Sequence, residues 1–293
     1  MTGETEGIIE ATRKRYRIRL RGAEVWLGER TWVMGVLNVT PDSFSDGARF
    51  LSSEDAIAAG MALFEAGADI VDVGGESTRP GARPVAVDEE LRRVVPVIEG
   101  LRRCAAGPLS IDTSKAAVAR AALDAGADVV NDVSGFRFDA AMAPLVAERG
   151  VPAVLMHLRG DFASMHRDPR YADVVSEVAA ELRGTLAFAE QAGVLREQLI
   201  VDPGIGFSKD AAHSLALMRR LEELRALDRP LLVGPSRKRF IGAVLGRDSG
   251  ERVFGTAAAV AAAVIKGVHV VRVHDVAEMK DVVRMADAIR EAA

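Results

Sequence analysis

Apolar positions along this chain come in short, β-branched runs separated by longer amphipathic stretches. The runs are WVMGVLN (32–38), DIVDV (69–73), LSID (109–112), DVVN (128–131), PAVLM (152–156), LIVD (199–202), PLLVG (230–234) and HVVRV (269–273). Short apolar runs of this kind suit strands covered on both faces, as in a parallel sheet. Between them lie helical patterns such as SEDAIAAGMALFEAG, DEELRRVVPVIEGLRR and YADVVSEVAAELRGTLAFAEQAG, with Ser, Asp or Glu in the opening turns. A repeated phrase marks the junctions: FEAGADIVDV (64–73), LDAGADVVND (123–132) and the looser IKGVHVVRVHD (265–275). In each, a helix closes on a glycine suited to a left-handed cap and a strand starts at once. Eight strands alternating with helices over about 250 residues predict an α/β fold, a TIM (β/α)8 barrel, here over residues 31–293. Ahead of it, RYRIRL alternates cation and apolar residue and RGAEVWLG turns back. Residues 1–30 therefore read as an N-terminal extension and β-hairpin, expected to cover the bottom of the barrel.

Composition narrows the function. The chain has 293 residues, 49% of them hydrophobic, enough for one large barrel or two smaller domains. Its 38 basic and 42 acidic residues leave a formal net charge of -4, so no global basic field exists to hold nucleic acid or an anionic membrane. Any anion site must be local. The basic run Arg13, Lys14, Arg15, Arg17, Arg19, Arg21 reads as a solvated strand face. The lone Cys104 excludes an intramolecular disulfide framework and a Cys-rich metal site. With no apolar leader segment and no run approaching roughly 18 apolar residues, the chain reads as a soluble cytoplasmic protein.

Chemistry collects at one end of nearly every predicted strand, the end where barrels of this kind build their active sites. Strand one ends in Asn38, two in Asp72, three in Asp112, four in Asn131 and Asp132, six in Asp202; seven leads to Ser236 and Lys238, and eight carries Arg272 and His274. A single such residue would be a helix cap; so many at once are hard to explain by capping. Asp112, Asn131 and Asp202 offer short, rigid hydrogen-bonding groups suited to the edge of a flat heterocycle, much as Asp and Asn read base edges, with a structural polar network as the alternative. Lys238, Arg239, Arg272 and His274 form a second, cationic class after strands seven and eight, the usual phosphate position of this fold. Neither GxxxxGK[ST] nor GxGxxG occurs, and GxSxG and HExxH are absent too. His157 and His166 flank a loop after strand five without a metal partner at helical spacing.

The motifs MGVLNVTPDSFSDG, VDVGGESTRPGA, SIDTS, NDVSG, MH, DPGIGF, SRKRFIG and RVHDV, in this order over about residues 30–292, resemble the dihydropteroate synthase family of pterin-binding enzymes. The resemblance implies condensation of 6-hydroxymethyl-7,8-dihydropterin diphosphate with p-aminobenzoate, with Mg2+ as cofactor. It also implies that Asp112, Asn131, Asp202 and Lys238 hold the pterin edge, with Met156 and Phe207 against its faces. Arg79, Arg272, His274 and Asn38 would take the diphosphate, Asn38 lying near the metal; Ser236, Thr78, Pro80, Phe44 and Phe207 would frame p-aminobenzoate. Asp46 is expected to face a transient pterin cation or the metal. The segments 38–50 and 74–84, too polar for a core, read as loops that close over the mouth. TAAAVAAAVIKG (256–267), nearly all small residues, allows close helix contact in barrel packing or at a dimer face, and the resemblance implies a homodimer formed through the late helices.

Three features depart from the family's usual pattern. LRGDFASMH after Met156 and His157 brings Arg159 and Asp161 near the rim, SDGA replaces SDGG, and Pro235 precedes Ser236. Three rivals compete with the synthase reading. A pterin-dependent methyltransferase domain needs no diphosphate site, which GGESTRPG, SRK and RVHD together supply. A non-catalytic pterin-binding paralogue would be expected to lose loop residues that are present here. A Schiff-base aldolase using Lys238 would be exposed by borohydride trapping.

Overall fold

In the computed structural model, which describes residues 13–40, 52–77, 84–162, 164–165 and 169–292, all eight predicted barrel strands form. They follow a two-stranded hairpin of β1 (Tyr16–Leu20) and β2 (Ala23–Leu27). The barrel strands are β3 (Trp32–Asn38), β4 (Ile70–Gly74), β5 (Leu109–Asp112), β6 (Val129–Asp132), β7 (Ala153–Met156), β8 (Leu199–Asp202), β9 (Leu232–Val233) and β10 (Val270–Val273). All pair in parallel, in the order β8-β7-β6-β5-β4-β3-β10-β9, and a bridge between Val201 and Leu231 brings the two edges together into a barrel. Helices α1 (Ser53–Glu65), α2 (Val87–Cys104), α3 (Ala116–Asp124), α4 (Met142–Arg149), α5 (Val174–Gln191), α6 (Ala211–Arg219), α7 (Arg239–Leu245), α8 (Val253–Ile265) and α9 (Val276–Glu291) follow the strands or connect them. No helix among the described residues is long and apolar enough to cross a membrane.

The repeated phrase has a shared geometry. Gly67, Gly126 and Gly267 take φ of +100°, +112° and +84°, and each glycine N–H bonds back to Phe64, Leu123 or Val264. The next residue's N–H reaches one position further back, to Leu63, Ala122 or Ala263, which closes the helix and turns the chain directly into a strand. A side chain at these positions would be strained by the positive φ.

Period-two alternation then decides what faces inward. Met34, Ile70, Val129, Val154, Ile200, Leu232 and Val270 form one apolar cluster with Ile18, Leu20 and Leu27 of the hairpin. Val33, Val71, Val130, Leu155, Val201 and Val271, each one position away, pack in the outer core instead. The hairpin thus covers the bottom of the barrel, as expected. Its two-residue turn uses Arg21 (φ +54°) and Gly22 (φ +77°), the doubly left-handed turn that matches strand twist. Asp287 on α9 anchors the entry to β3, accepting from Thr31 N at 2.7 Å, Thr31 Oγ1 at 2.9 Å and Arg13 at 2.5 Å.

Candidate active site

Two residues beyond the apolar floor, the same inward positions turn polar on every strand named but β7, which keeps a methionine. Ile70 leads to Asp72, Val129 to Asn131, Val154 to Met156, Ile200 to Asp202 and Val270 to Arg272. Asp112 takes the equivalent place on β5, where it is in register with Asn131 on one side and Gly74 on the other. A layer of hydrogen-bonding groups therefore rests on a hydrophobic floor at the C-terminal mouth, with Met156 buried among them.

The layer is wired together by Arg272. Its Nε donates to Asp72 Oδ2 at 2.6 Å and its Nη2 to Asp112 Oδ2 at 2.6 Å, while Asn131 Nδ2 donates to the same Asp72 oxygen at 3.0 Å. Asp72 is fully buried, and its other oxygen makes no hydrogen bond to a described residue. Arg272 thus joins the two chemical classes that the strand ends suggest, and Asp72 is the hub beneath both. Sequence reading names Asp72 as a strand end without giving it a role. Its partners lie 59 and 200 residues away, which no local pattern reveals.

Burial dominates the electrostatics. It pushes the Asp112 carboxyl up to about 7, against the attraction of Arg272 and with the help of Asp72, Glu90 and Asp132. Asp202 is raised by burial too, although Gly204 N donates to it at 2.7 Å. Lys238 is brought down to about 8, by burial and then by Arg272, with Asp202 and Asp112 resisting. Its ammonium stands 3.8 Å from the centre of the Phe207 ring, a cation–π contact. Arg272 keeps its charge, since Asp72 and Asp112 outweigh its burial.

His274 differs from its place among the cations. Burial, then Arg272, Arg237 and Lys238, hold its imidazole down to about 3, so it is neutral. Ser236 Oγ accepts from His274 N at 3.2 Å and lies 2.9 Å from His274 Nδ1; when the hydroxyl donates to Nδ1, the ring proton resides on Nε2. Ser236, expected beside p-aminobenzoate, is buried and engaged in this way. Arg237, at φ +56°, pairs through both nitrogens with Asp275 and locks the 236–238 turn to the end of β10. With α7 only seven residues long, the positive charge here comes from side chains rather than from a helix end.

Asn38 sits half-buried at the end of β3, opposite Gly74. Among the described residues no group of three or more His, Cys, Asp or Glu forms a metal cage. One hard amide oxygen fits Mg2+ held mainly by substrate phosphates and water, the usual manner for that ion. Phe44, Asp46, Thr78, Arg79 and Pro80 lie outside the described residues, as does His166. The base of the 74–84 segment is described: Lys115 Nζ bonds Glu76 at 2.7 Å and buried Glu90 at 2.5 Å, and Glu76 Oε1 accepts from Val85 N at 2.7 Å. Sequence reading misses this buckle, although GGES and SIDTSK each carry one of its residues. Arg159 turns away from the mouth, bonded to Glu177 and Glu181 and stacked 3.9 Å over Tyr171; Asp161 caps a local turn at Ser164.

Comparison with known proteins gives the layer its context. The family model described as pterin binding enzyme matches residues 34–274. A dihydropteroate synthase from Synechocystis sp. is 49% identical over 253 residues, 86% of this chain and 88% of the relative. Among solved structures, the Xanthomonas albilineans dihydropteroate synthase with 4-aminobenzoic acid superposes with a TM-score of 0.89 at 45% identity, covering 96% of this chain and 100% of that one. The same organism's enzyme in complex with 7,8-dihydropteroate gives 0.85 at 43% identity, covering 94% and 100%. Matched across its whole barrel, the chain belongs to the pterin-binding enzyme family and, within it, to the dihydropteroate synthases.

Proposed function

We infer that the protein joins 6-hydroxymethyl-7,8-dihydropterin diphosphate to p-aminobenzoate, forming 7,8-dihydropteroate and pyrophosphate in folate biosynthesis. The observation that carries this reading is the inward layer Asp112, Asn131, Asp202 and Lys238, bounded by Met156 and Phe207 and crossed by Arg272. Buried carboxylates accept N–H groups from a pterin edge, Asn131 and Lys238 donate to its ring acceptors, and the two apolar side chains take its faces. Arg272 and the Nε2–H of neutral His274, with Arg79, receive the diphosphate. As the carbon–oxygen bond breaks, these donors stabilise the charge left on pyrophosphate. The arylamine nitrogen then bonds to the exposed methylene carbon and loses a proton. Phe44, Thr78, Pro80, Phe207 and Ser236 frame the benzoate side, and Asp46 faces the cationic pterin. Mg2+ beside Asn38, when bound, supplies further charge neutralisation at the diphosphate.

The test is product formation by purified protein given both substrates and Mg2+, following dihydropteroate and pyrophosphate together. Equal release of the two is expected, with chelation of Mg2+ lowering turnover by about a hundredfold or more and restoration on adding the metal back. No turnover with intact pterin-diphosphate binding would point instead to a non-catalytic binding protein.

A homodimer is part of this reading. Leu245, Phe254, Met285 and Ile289 on α7 to α9 are exposed large apolar side chains, with Phe254 at 85%. Sedimentation equilibrium should report twice the 31.2 kDa chain mass; a monomer at working concentrations would exclude the dimer. The protein is placed in the cytoplasm on the same reading, consistent with a single, unpaired cysteine.

A further inference from the structure

Behind Phe207 stands a second buried polar chain that the chemistry above does not use. Lys209 is 5% exposed and His157 4%. Lys209 Nζ lies 2.9 Å from His157 Nδ1 and 2.9 Å from the carbonyl oxygen of Phe207, and His157 Nε2 lies 2.9 Å from Glu181 Oε2. Burial holds the His157 ring down to about 4, so it is neutral and donates its Nε2 proton to the Glu181 carboxylate. Nδ1 is then an acceptor, and it faces the amine.

Lys209 therefore meets two acceptors, one of them the backbone of a site residue. Burial brings its ammonium down to about 7, against Asp202 and Glu181 and with Arg159 and Lys238. A neutral amine has just two protons, and both bonds are kept in either charge state. The turn it grips is otherwise difficult to hold. Gly204 and Gly206 sit at positive φ, Ser208 follows at φ +46°, and a side chain at Gly204 would meet the His157 carbonyl oxygen at 2.2 Å. Two further bonds, Arg159 N to Ser208 Oγ at 2.9 Å and Tyr171 Oη to Ser208 O at 3.1 Å, tie the turn to the loop after β7.

We propose that Lys209, backed by His157 and Glu181, is a positioning residue for the reaction: its grip on the Phe207 carbonyl sets the Phe207 ring as the pterin-facing wall against Lys238. This rests on the synthase reading of the mouth. A lysine so deeply buried has no solvating role to explain it, and its direct hydrogen bond to a residue of the mouth is the one to the Phe207 carbonyl. The effect belongs to the two rings that Phe207 walls, the pterin first and the arylamine second, since Lys209 makes no bond to the diphosphate side of the layer.

A double-mutant cycle on the full-length protein tests it, using Lys209→Met, Phe207→Ala and the pair, with KM for each substrate, kcat and thermal unfolding. Lys209→Met is expected to raise KM for the pterin diphosphate about tenfold and KM for p-aminobenzoate by a smaller factor, with kcat within about threefold of wild type. In the Phe207→Ala background the same change should add little, because the ring it positions is gone. Penalties that multiply in the double variant, or a fall in kcat with no rise in pterin KM, would overturn the proposal, since general destabilisation behaves that way. Should Lys209→Met not fold, His157→Leu removes the amine's side-chain acceptor and leaves Lys209 in place. A two- to fourfold rise in pterin KM with kcat kept is then expected, and the absence of that rise overturns the idea. Wild-type protein that fails to bind the pterin diphosphate removes the synthase reading itself, an outcome visible before any variant is compared.

Discussion

Arg272→Ala is expected to lower kcat/KM for the pterin diphosphate by about 10³-fold or more and to destabilise the fold by about 3–5 kcal/mol. Both losses have one cause. Arg272 bonds Asp72 and Asp112 at 2.6 Å each, and Asp72 is fully buried with its second oxygen unpartnered among the described residues. Removing the guanidinium leaves a buried carboxylate with Asn131 alone and lets Asp112 drift from the register in which it meets the pterin edge. The diphosphate loses a donor as well. Arg272→Lys separates these contributions: it keeps a charge but offers a point donor where the native planar fork reaches two carboxylates at once. It should recover stability more than rate. Steady-state kinetics with denaturant unfolding on the same preparations decides the matter, and an alanine variant within tenfold of wild-type kcat/KM would remove Arg272 from its assigned place.

The fold was legible because its signals are local and repeated. A helix closing on glycine followed at once by an apolar strand, as at Gly67, Gly126 and Gly267, is written in consecutive residues. The alternation that points Ile70 and Asp72 to the same side is likewise a property of the strand alone. The weakest strand is instructive. PLLVG reads as five residues, but only Leu232 and Val233 pair as β9, with Leu231 bridging to Val201, because a short strand closing the ring has few positions within reach of both neighbours.

What could not be read depends on meeting partners across the barrel. That Asp72 lies under Arg272, that His274 is neutral against Ser236, and that Lys209 reaches back to Phe207 all follow from where the strand ends converge. The same residue types in the same order would be compatible with other pairings until the ring closes. His274 shows the limit most clearly: counted as a cation from its type and company, it is neutral because it is buried and because those neighbours are themselves cations.

The second large effect is expected at Asp112, and it is a matter of pH. With its carboxyl raised to about 7, Asp112 is protonated below that value and cannot accept both N–H groups of a pterin edge; as pH rises through about 7 it ionises and binding strengthens. Lys238, lowered to about 8, loses its proton above that value and with it a charged donor. The two should give a narrow bell in kcat/KM, which reports groups of the free enzyme. Asp112→Asn removes the acid limb and, by setting an N–H where an acceptor is needed, lowers the maximum by about 10²–10³-fold. Any acid limb that survives in that variant belongs to the substrate's own phosphates. Stability supplies an independent sign. A carboxyl whose folded value lies near 7 and whose ordinary value is 3.8 binds more protons folded than unfolded between those limits, so its contribution to stability falls as pH rises through them. Asn at this position does not titrate, and the variant's stability relative to wild type should therefore improve from about pH 4 to pH 7. A relative stability that stays flat over this range would mean that Arg272 holds Asp112 ionised throughout, and the acid limb of activity would then have to come from another group.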